Sequence, residues 1–185
     1  MEQLVLRMVL SSPMQSWGLD ASGMSFSGTE RHPTKSGIVG LLSAACGYRK
    51  NDPRIRELYN NITVCWRRPG GELGDNEYVS CGLVCEDFMT VNGGKRVMPI
   101  IDGSGYNVAP IRRKRYLADA RFVVYVIAEE HIIRELEYAL LNPKFCLYLG
   151  RKAYLPAEYI YGGVMMMDVD KEKEREDRPI CICRR

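Results

Sequence analysis

The chain has 185 residues, enough for one domain with a substantial core and too few for two full domains. Hydrophobic residues make up 46% and charged residues 26%, as in a typical globular protein, and a formal net charge of +3 is too small to identify a nucleic-acid partner. Seven irregularly spaced cysteines exclude a secreted disulfide framework. Because no apolar run approaches the roughly 20 residues of a membrane span and no signal-peptide pattern is present, we expect a cytoplasmic protein without membrane contact.

The first predicted element is a strand over residues 3–10, in which two sets of alternating residues face opposite sides. The polar segment 11–31 follows and predicts a long loop, and long loops in compact domains often carry function. Trp17 lies in this loop together with Gln15 and Arg31. Its ring could stack on a nucleic-acid base or fold back onto the domain edge, and the residues alone leave both interpretations open.

Residues 32–47 predict a polar entry into an apolar helix. Thr34 or Ser36 can cap the helix N-terminus, and Lys35 places a positive charge beside the positive end of the helix dipole. Free amides and the dipole together favour a bound anion such as a phosphate. The alternative is an ordinary capped core helix with one exposed lysine.

The body of this helix, from Ile38 onward, is apolar on every side. We therefore expect it to be buried, with Gly37 and Gly40 allowing close packing. A polar turn and a short second helix from Pro53 follow, because proline suits the first helical position. Residues 62–67 then alternate as a second strand.

A glycine-rich region without helical periodicity follows the second strand. It predicts a lobe of β-hairpins over residues 70–113, inserted between segments 1–69 and 114–185 of one domain. The densest positive charge of the chain lies at residues 112–115, directly before Tyr116. A basic cluster beside an aromatic residue is typical of nucleic-acid contact. The alternative is a solvated strand edge, which we consider less favoured because little acidic sequence lies nearby.

The C-terminal part predicts a central strand over residues 122–128 and a helix that ends at Asn142. A further strand is predicted over 145–152, and segment 164–185 predicts a hairpin around a charged loop at 168–178. The element order predicts an α+β, ferredoxin-like fold. In such a fold the helices cover one face of the sheet, and we expect the other face to stay open for a ligand.

Motifs for metal or cofactor chemistry are missing from the sequence. Neither of the two histidines belongs to an HExxH motif or a His/Cys cluster. The cysteine pairs 81/85 and 181/183 have no partner pair at structural-zinc spacing, and no Walker, nucleophile-elbow or dinucleotide motif is present. We therefore expect no metal and no cofactor. Metal-independent RNA cleavage remains open, since it needs only a proton acceptor such as Tyr48 or His32 and a cation such as Lys35 or Lys114.

Four collinear segments carry a family resemblance: SSPMQSWG at 11–18, RHPTKSGIVGLLSAACGYRKND at 31–52, RYLADARFVVYV at 115–126 and YLGRKAYLP at 148–156. In these segments the chain resembles the CasD family of type I-E CRISPR Cascade subunits. The resemblance implies a RAMP/RRM-like domain whose inserted β-hairpin lobe is a thumb. It also implies a cytoplasmic ribonucleoprotein complex that acts in antiviral defence.

The resemblance implies a non-catalytic protein that caps the 5′ handle of the crRNA between the domain and the thumb. The thumb, from about Val79 to Arg113, would pack against a CasC-type backbone subunit, and a CasA-type large subunit would dock nearby. The chain would be connected to target DNA only indirectly, through the complex. The resemblance implies three groups of RNA-binding residues: loop residues near the handle, residues that hold its phosphates at the helix N-terminus, and residues at the thumb base and groove rim. These residues are Gln15, Ser16, Trp17, Arg31, Thr34, Lys35, Ser36, Arg115, Tyr116, Arg151 and Lys152.

Two alternatives follow from the same residues. The related type I-C subunit cuts the CRISPR repeat itself, and in that interpretation Tyr48 would be catalytic with help from Lys114. A protein-interaction module without RNA contact, whose cations serve only solubility, is the other alternative.

Overall fold

The computed structural model describes residues 2–18, 26–67, 79–90, 97–99, 104–108, 111–174 and 180–183. Its elements in chain order are β1 (Glu2–Gln15), β2 (Phe26–Ser27), α1 (Lys35–Cys46), α2 (Pro53–Asn61), β3 (Thr63–Arg67), β4 (Leu83–Thr90), β5 (Val97–Pro99), β6 (Tyr106–Val108), β7 (Ile111–Ile127), α3 (Glu130–Leu141), β8 (Tyr161–Asp168), α4 (Val169–Glu174) and β9 (Ile180–Ile182).

The main sheet has the strand order β8-β1-β7-β3-β9. β1 is antiparallel to both β7 and β8, and β3 is antiparallel to β7. It follows that β1 and β3 are parallel with β7 between them, and that β7 and β8 are parallel with β1 between them. The sheet thus contains two βαβ units, each split by a strand of the other.

The main core lies between one face of this sheet and helices α1, α2 and α3. The alternation predicted for β1 is confirmed, because Leu6, Met8 and Leu10 enter this core while Val5 faces the other side. Strand β7 supplies Phe122, Val124 and Val126 from its C-terminal half, as its apolar run predicts. The core members from the helices include Ile38, Val39, Leu41, Leu42, Ala45, Leu58, Ile133, Leu136, Ala139 and Leu140.

The predicted helix signals are confirmed. The Thr34 side chain caps α1 by accepting a hydrogen bond from the Gly37 amide at 3.2 Å, and Gly47 ends the helix at φ 82°. Helix α2 begins at Pro53 behind the N-cap Asp52.

Two boundary predictions are wrong. Strand β1 continues to Gln15, opposite Leu117 of β7, so residues 11–15 are strand rather than loop. Residues 145–152 do not form a strand, because their backbone bonds reach α1 and the end of β1 instead of a neighbouring strand. The sheet position expected for that strand is taken by β8.

The predicted C-terminal hairpin is also wrong. β8 pairs with β1 at one edge of the main sheet, whereas β9 pairs with β3 at the other. Part of the charged segment between them forms α4 rather than a turn, and this segment passes from one edge to the other.

The expectation of an open second sheet face is wrong where α4 begins, because Val169 packs there with Val5 and Val123. Arg67 of β3 is 8% exposed, and its Nη2 lies 3.0 Å from Glu172 Oε2. The same guanidinium donates to the Tyr125 hydroxyl at 2.9 and 3.1 Å. The buried charge is therefore paired, which offsets its desolvation.

The predicted inserted lobe, residues 70–113, lies largely outside the described residues. Within its described part, β4 pairs antiparallel with the first half of β7, from Leu83 opposite Ala118 to Thr90 opposite Ile111, and β5 pairs with β6. The prediction of a mixed chain with helices and an antiparallel sheet is confirmed. Among the described residues, no helix is long and apolar enough to cross a membrane.

Candidate nucleic-acid interface

A groove of about 480 Å³ begins at the N-terminal turn of α1 and follows the helix from Ser36 to Ala44. Four chain segments meet there: the end of β1, the end of β2, the exposed face of α1 and the segment after α3. The described residues of its lining include one arginine and no acidic residue, and they are Ser16, Gly18, Ser27, Gly28, Ser36, Gly37, Gly40, Leu41, Ala44, Tyr148, Gly150 and Arg151.

The segment 144–151 forms one wall of the groove. At one end the Lys144 amide donates to the Ala45 carbonyl at 3.0 Å, and at the other the Ser16 amide donates to the Leu149 carbonyl at 3.0 Å. Gly150 has a φ of 99°, and a Cβ there would stand 1.8 Å from the Ser16 carbonyl oxygen. Only glycine fits this close approach.

Gln15 and Trp17 lie beneath the groove rather than in it. Gln15 is 0% and Trp17 1% exposed. The Gln15 amide donates to the carbonyls of Leu10 and Ala120 and accepts from Trp17 Nε1 at 3.2 Å. With neither ring face free, the interpretation of Trp17 as a stacking platform is corrected: both side chains support the groove, and neither can reach a ligand in this conformation.

The cap residues of α1 divide into three positions. The Thr34 hydroxyl is buried in its capping bond, while Ser36 is exposed and lines the groove. Lys35 turns away from the groove, and its Nζ lies 4.5 Å from the centroid of the Tyr59 ring. The absence of acidic residues from the first turn leaves the positive end of the helix dipole without a countercharge on the helix.

Gly37 packs as predicted, with its Cβ position 2.9 Å from the Trp17 ring, whereas Gly40 meets no atom within 4 Å.

Arg31, His32 and Lys35 are not among the described residues that line the groove. The His32 ring stacks on Trp66 of β3 with centroids 5.1 Å apart, and Arg31 is exposed. The predicted phosphate contacts at the helix N-terminus are thus split between Ser36, which lines the groove, and Arg31 and Lys35, which lie outside its lining.

The basic cluster is less isolated than its sequence indicates. Arg115 Nε donates to Glu86 Oε2 at 2.8 Å, and Arg113 Nε lies 4.0 Å from the same carboxylate. The register of β4 on β7 brings this acid opposite the cluster, so the expectation of little balancing charge is wrong. Arg115 also lies over the Phe26 ring at 5.1 Å. Its guanidinium is half exposed and still available at the surface.

Tyr116 and Arg151 join the strand to the groove wall. Arg151 donates to the Arg115 carbonyl at 2.9 Å and to the Tyr154 hydroxyl at 2.6 Å. The Tyr116 and Tyr154 rings are 6.2 Å apart, and desolvation together with the nearby Asp87 raises the pKa of Tyr116. This network holds the Arg151 guanidinium at the groove edge, next to the exposed Lys152.

Tyr48 lies at the other end of α1, in a separate pocket of about 280 Å³ that Glu57, His131 and Glu135 also line. Its hydroxyl donates to Glu135 at 3.2 Å, and Arg54 lies over its ring at 4.2 Å. Burial, helped by Cys46 and Glu135, raises the pKa of Tyr48 to about 12.

Lys114 does not accompany Tyr48. It pairs with Ser27 of β2 and Asp87 of β4 in the strand ladder, on the side of the groove. The tyrosine and lysine suggested for a cleavage site are therefore not brought together.

Within the described part of the chain, no three His, Cys, Asp or Glu side chains are placed to hold a metal. Burial raises the pKa of Cys65 to about 11 and that of Cys183 to about 12, so both thiols stay protonated at neutral pH. They behave as small core residues.

Sequence reasoning missed several groove residues, notably Ser27, Gly40 and Tyr148. Tyr148 and Gly150 shortly precede the two predicted cations at 151 and 152. The glycine between the tyrosine and the cations could have indicated a close backbone approach in the groove wall. No local signal identifies Ser27 or Gly40, because their place in the groove depends on the pairing of β2 with β7 and on the packing of α1.

Three comparisons agree on one family. A model described as CRISPR-associated protein (Cas_Cas5) matches residues 5–179. The Cascade subunit CasD of Escherichia coli (strain K12) is 33% identical over 159 residues, which cover 81% of this chain and 65% of the relative. A chain of a solved CRISPR RNA-guided surveillance complex is similar at a TM-score of 0.68 and 29% identity, over 85% of this chain and 61% of that one.

A crystal structure of a Cas protein is similar at a TM-score of 0.56 and 29% identity, over 85% of this chain and 62% of that chain. The chain thus spans less than two thirds of the length of each of these relatives.

Proposed function

The chain belongs to the Cas5 family of CRISPR-associated proteins, and from this premise we propose that it is a non-catalytic, crRNA-binding subunit of a Cascade-type surveillance complex. In this role it caps the 5′ handle of the crRNA. The groove at the N-terminus of α1 is the observation that carries the proposal. The described residues of its lining combine a helix N-terminus, three serines and one arginine, with no acidic residue among them, a combination suited to phosphate.

The proposed fold is a ferredoxin-like RAMP domain formed by residues 1–69 and 114–185, with a thumb at 70–113. The two interleaved βαβ units support the domain assignment. Support for the thumb comes from β4, which pairs with the first half of the long strand β7, outside the part of β7 that pairs with β3. The thumb base would then lie beside the groove, where Arg115 and Arg151 are joined.

The RNA path proposed here runs from the groove onto its basic borders. Ser16, Ser36 and Arg151 would contact the handle inside the groove. The cations outside it would hold further phosphates, since exposed arginines and lysines contribute mainly sequence-independent contacts. These bordering residues are Arg31, Lys35, Arg115, Tyr116 and Lys152. The buried Gln15, Trp17 and Thr34 would act by holding the groove in shape.

The proposed protein partners are a CasC-type backbone subunit and a CasA-type large subunit, with target DNA met only through the assembled complex. Support for the first comes from β4, where Val84 is 43% and Phe88 61% exposed on the same face of the strand. Neighbouring apolar side chains at such exposure are typical of an interaction surface. The large subunit would dock nearby.

A non-catalytic role fits the environment of Tyr48. A phenol whose pKa is raised to about 12 stays protonated at neutral pH and is a poor proton acceptor. No cation of the groove lies in the same pocket, and Arg54 beside the ring is paired with Asp52 at 2.7 Å.

The proposal is tested by incubating the purified full chain with labelled CRISPR repeat RNA in EDTA and reading native and denaturing gels in parallel. We expect a retarded RNA that stays intact. Cleavage at one position that is lost in Tyr48→Phe would replace the proposal with a repeat-processing nuclease. Absence of retardation at every protein concentration would contradict RNA binding altogether and favour a protein-interaction module.

The salt dependence of binding tests individual cations. For Lys35→Ala, Arg115→Ala and Lys152→Ala we expect weaker binding and a salt slope reduced by about 0.7 for each phosphate that the variant no longer neutralises. Arg134→Ala is the charge-matched control, because Arg134 lies on α3 outside the groove and pairs with Glu137. A cation whose removal leaves both affinity and slope at the control value does not bind the RNA.

A further inference from the structure

The α1 wall of the groove is almost free of side chains. Ser36, Gly40 and Ala44 succeed one another at intervals of four residues, so they form one stripe along the helix. A Cβ at Gly40 would meet no atom within 4 Å, in contrast to Gly37, which is held against Trp17. Packing among the described residues therefore does not explain a glycine at position 40, although glycine inside a helix is less stable than alanine.

The facing wall carries an aromatic ring. Segment 144–151 touches α1 at Ala45 and then departs from the helix toward Ser16, which opens the groove beside Gly40. Tyr148 lies in this segment and is half-buried. The Tyr148 hydroxyl takes part in none of the hydrogen bonds made by the described residues. Hydrogen bonding within the described part of the chain therefore does not explain why this tyrosine lines the groove.

We propose that Tyr148 and the bare face of α1 at Gly40 and Ala44 form a slot for one unpaired nucleobase, with Tyr148 as the stacking residue. This inference rests on the proposed function and extends it from phosphate contact to base contact. Ser36 precedes Gly40 by about 6 Å along the helix axis. A phosphate at the helix N-terminus therefore directs its own sugar and base along the stripe toward the slot.

The chemistry of the lining decides what kind of base recognition is available. Among the described residues, no Asn, Gln, Asp or Glu side chain lines the groove, and the two terminal nitrogens of Arg151 already donate to the Tyr154 hydroxyl and the Arg115 carbonyl. These side chains therefore leave no uncommitted group for the bidentate pairings that distinguish one base from another. Stacking on an aromatic ring accepts any base, because every base has a π-face. The slot therefore binds an unstacked base and does not distinguish one kind of base from another.

The inference is tested with two labelled single-stranded probes of equal length and phosphate number: an adenosine decamer and a fully abasic ribose-phosphate decamer. We expect the full chain to bind the adenosine decamer about ten-fold more tightly than the abasic one. Tyr148→Ala and Gly40→Leu should bring this ratio to within two-fold while the affinity for the abasic probe is kept. Tyr138→Ala is the matched control, since Tyr138 lies on α3 outside the groove and is 69% exposed.

Each outcome separates the slot from the proposed function. If the wild type binds both decamers equally, the groove contacts only phosphates: the slot is then wrong and handle binding stands. If neither decamer is bound but CRISPR repeat RNA is, the slot is wrong and handle binding stands; if repeat RNA is not bound either, both proposals fail. If Gly40→Leu does not fold, the pair Tyr148→Phe and Tyr148→Ala decides. A stacking role requires the phenylalanine variant to keep the ratio and the alanine variant to lose it, and equal ratios for the two would overturn the slot.

Discussion

The two ends of α1 offer opposite environments on one helix. At the N-terminal end the described residues of the groove lining include an arginine, three serines and no acid, beside the positive end of the helix dipole. Beyond the C-terminal end the pocket around Tyr48 includes Glu57 and Glu135. Ser36 and Tyr48 are about 18 Å apart along the helix axis, and the groove extends from Ser36 as far as Ala44.

The difference assigns the two ends different chemistry. A phosphodiester at the N-terminal end would have its charge complemented by amides and Arg151. At the other end the same anion would meet two glutamates, one of which accepts the hydrogen bond from Tyr48. A phenol that stays protonated at neutral pH, beside carboxylates that repel a phosphodiester, is poorly suited to cleave RNA. The comparison therefore favours binding over cleavage.

The largest expected effect tests what holds the N-terminal end together. Trp17→Ala should destabilise the fold by about 3–5 kcal/mol, because it opens a cavity under Gly37 and removes the donor to the buried Gln15 side chain. Urea unfolding measures the loss. Tyr159→Ala, at a tyrosine that is 94% exposed, is the control and should change stability by less than about 0.5 kcal/mol. If Trp17→Ala kept the stability of the wild type but lost RNA binding, the interpretation of Trp17 as a stacking platform would be favoured instead.

The next effect concerns the groove wall. Gly150→Ala should cost about 3 kcal/mol, since the new Cβ would meet the Ser16 carbonyl oxygen in addition to a strained φ. Gly163→Ala separates these two causes, because Gly163 has a φ of 108° and nothing within 4 Å of its Cβ position. We expect a smaller fall in melting temperature for Gly163→Ala. Equal falls would mean that the contact between segment 144–151 and Ser16 does not constrain the groove.

One negative charge introduced inside the groove tests whether the N-terminal end of α1 binds phosphate. Ser36→Asp should weaken RNA binding by ten-fold or more through repulsion of phosphate, while the fold gains about 0.3–1 kcal/mol from an acid in the first turn of α1. Binding titrations and thermal melts on the same samples measure both. Ser36→Ala controls for loss of the hydroxyl. Unchanged affinity in Ser36→Asp would place the RNA elsewhere.

The smallest effect is expected at the other end of the helix. Tyr48→Phe should leave RNA affinity within two-fold of wild type at neutral pH. Because the folded pKa of about 12 exceeds the ordinary value of 10 for tyrosine, the unfolded chain loses this proton first, and wild-type stability falls as pH rises from about 10 to 12. Tyr48→Phe should show less of this alkaline loss in urea melts at graded pH. Identical pH profiles would contradict the raised pKa.

Local signals predicted much of the fold. The cap at Thr34, the proline at 53 and the apolar run at 122–128 act within a few residues, so each could be recognised without knowing the rest of the chain. The segment 145–152 has the composition of a strand, but its backbone partners lie on α1 and β1. Composition does not reveal such partners.

The candidate site was predicted in part. The helix N-terminus and the cations that surround it were found as residue types, whereas their directions were not: Lys35 points to Tyr59, and Ser36 points into the groove. The charge on Arg115 was found, but Glu86 was not, because cross-strand register is a long-range property. Gly40 and Tyr148 were missed for the same reason.

The sequence by itself determined the mixed class of the fold, the buried first helix with its anion-friendly start, and the family through four collinear segments. These are properties of hydrophobic periodicity, capping chemistry and order along the chain. Only the tertiary structure decided that Trp17 is core, that β9 pairs at the far edge of the sheet, and that Tyr48 lies in a pocket separate from the groove. Those outcomes depend on which distant surfaces pack together, and burial and strand pairing are settled by the whole chain at once.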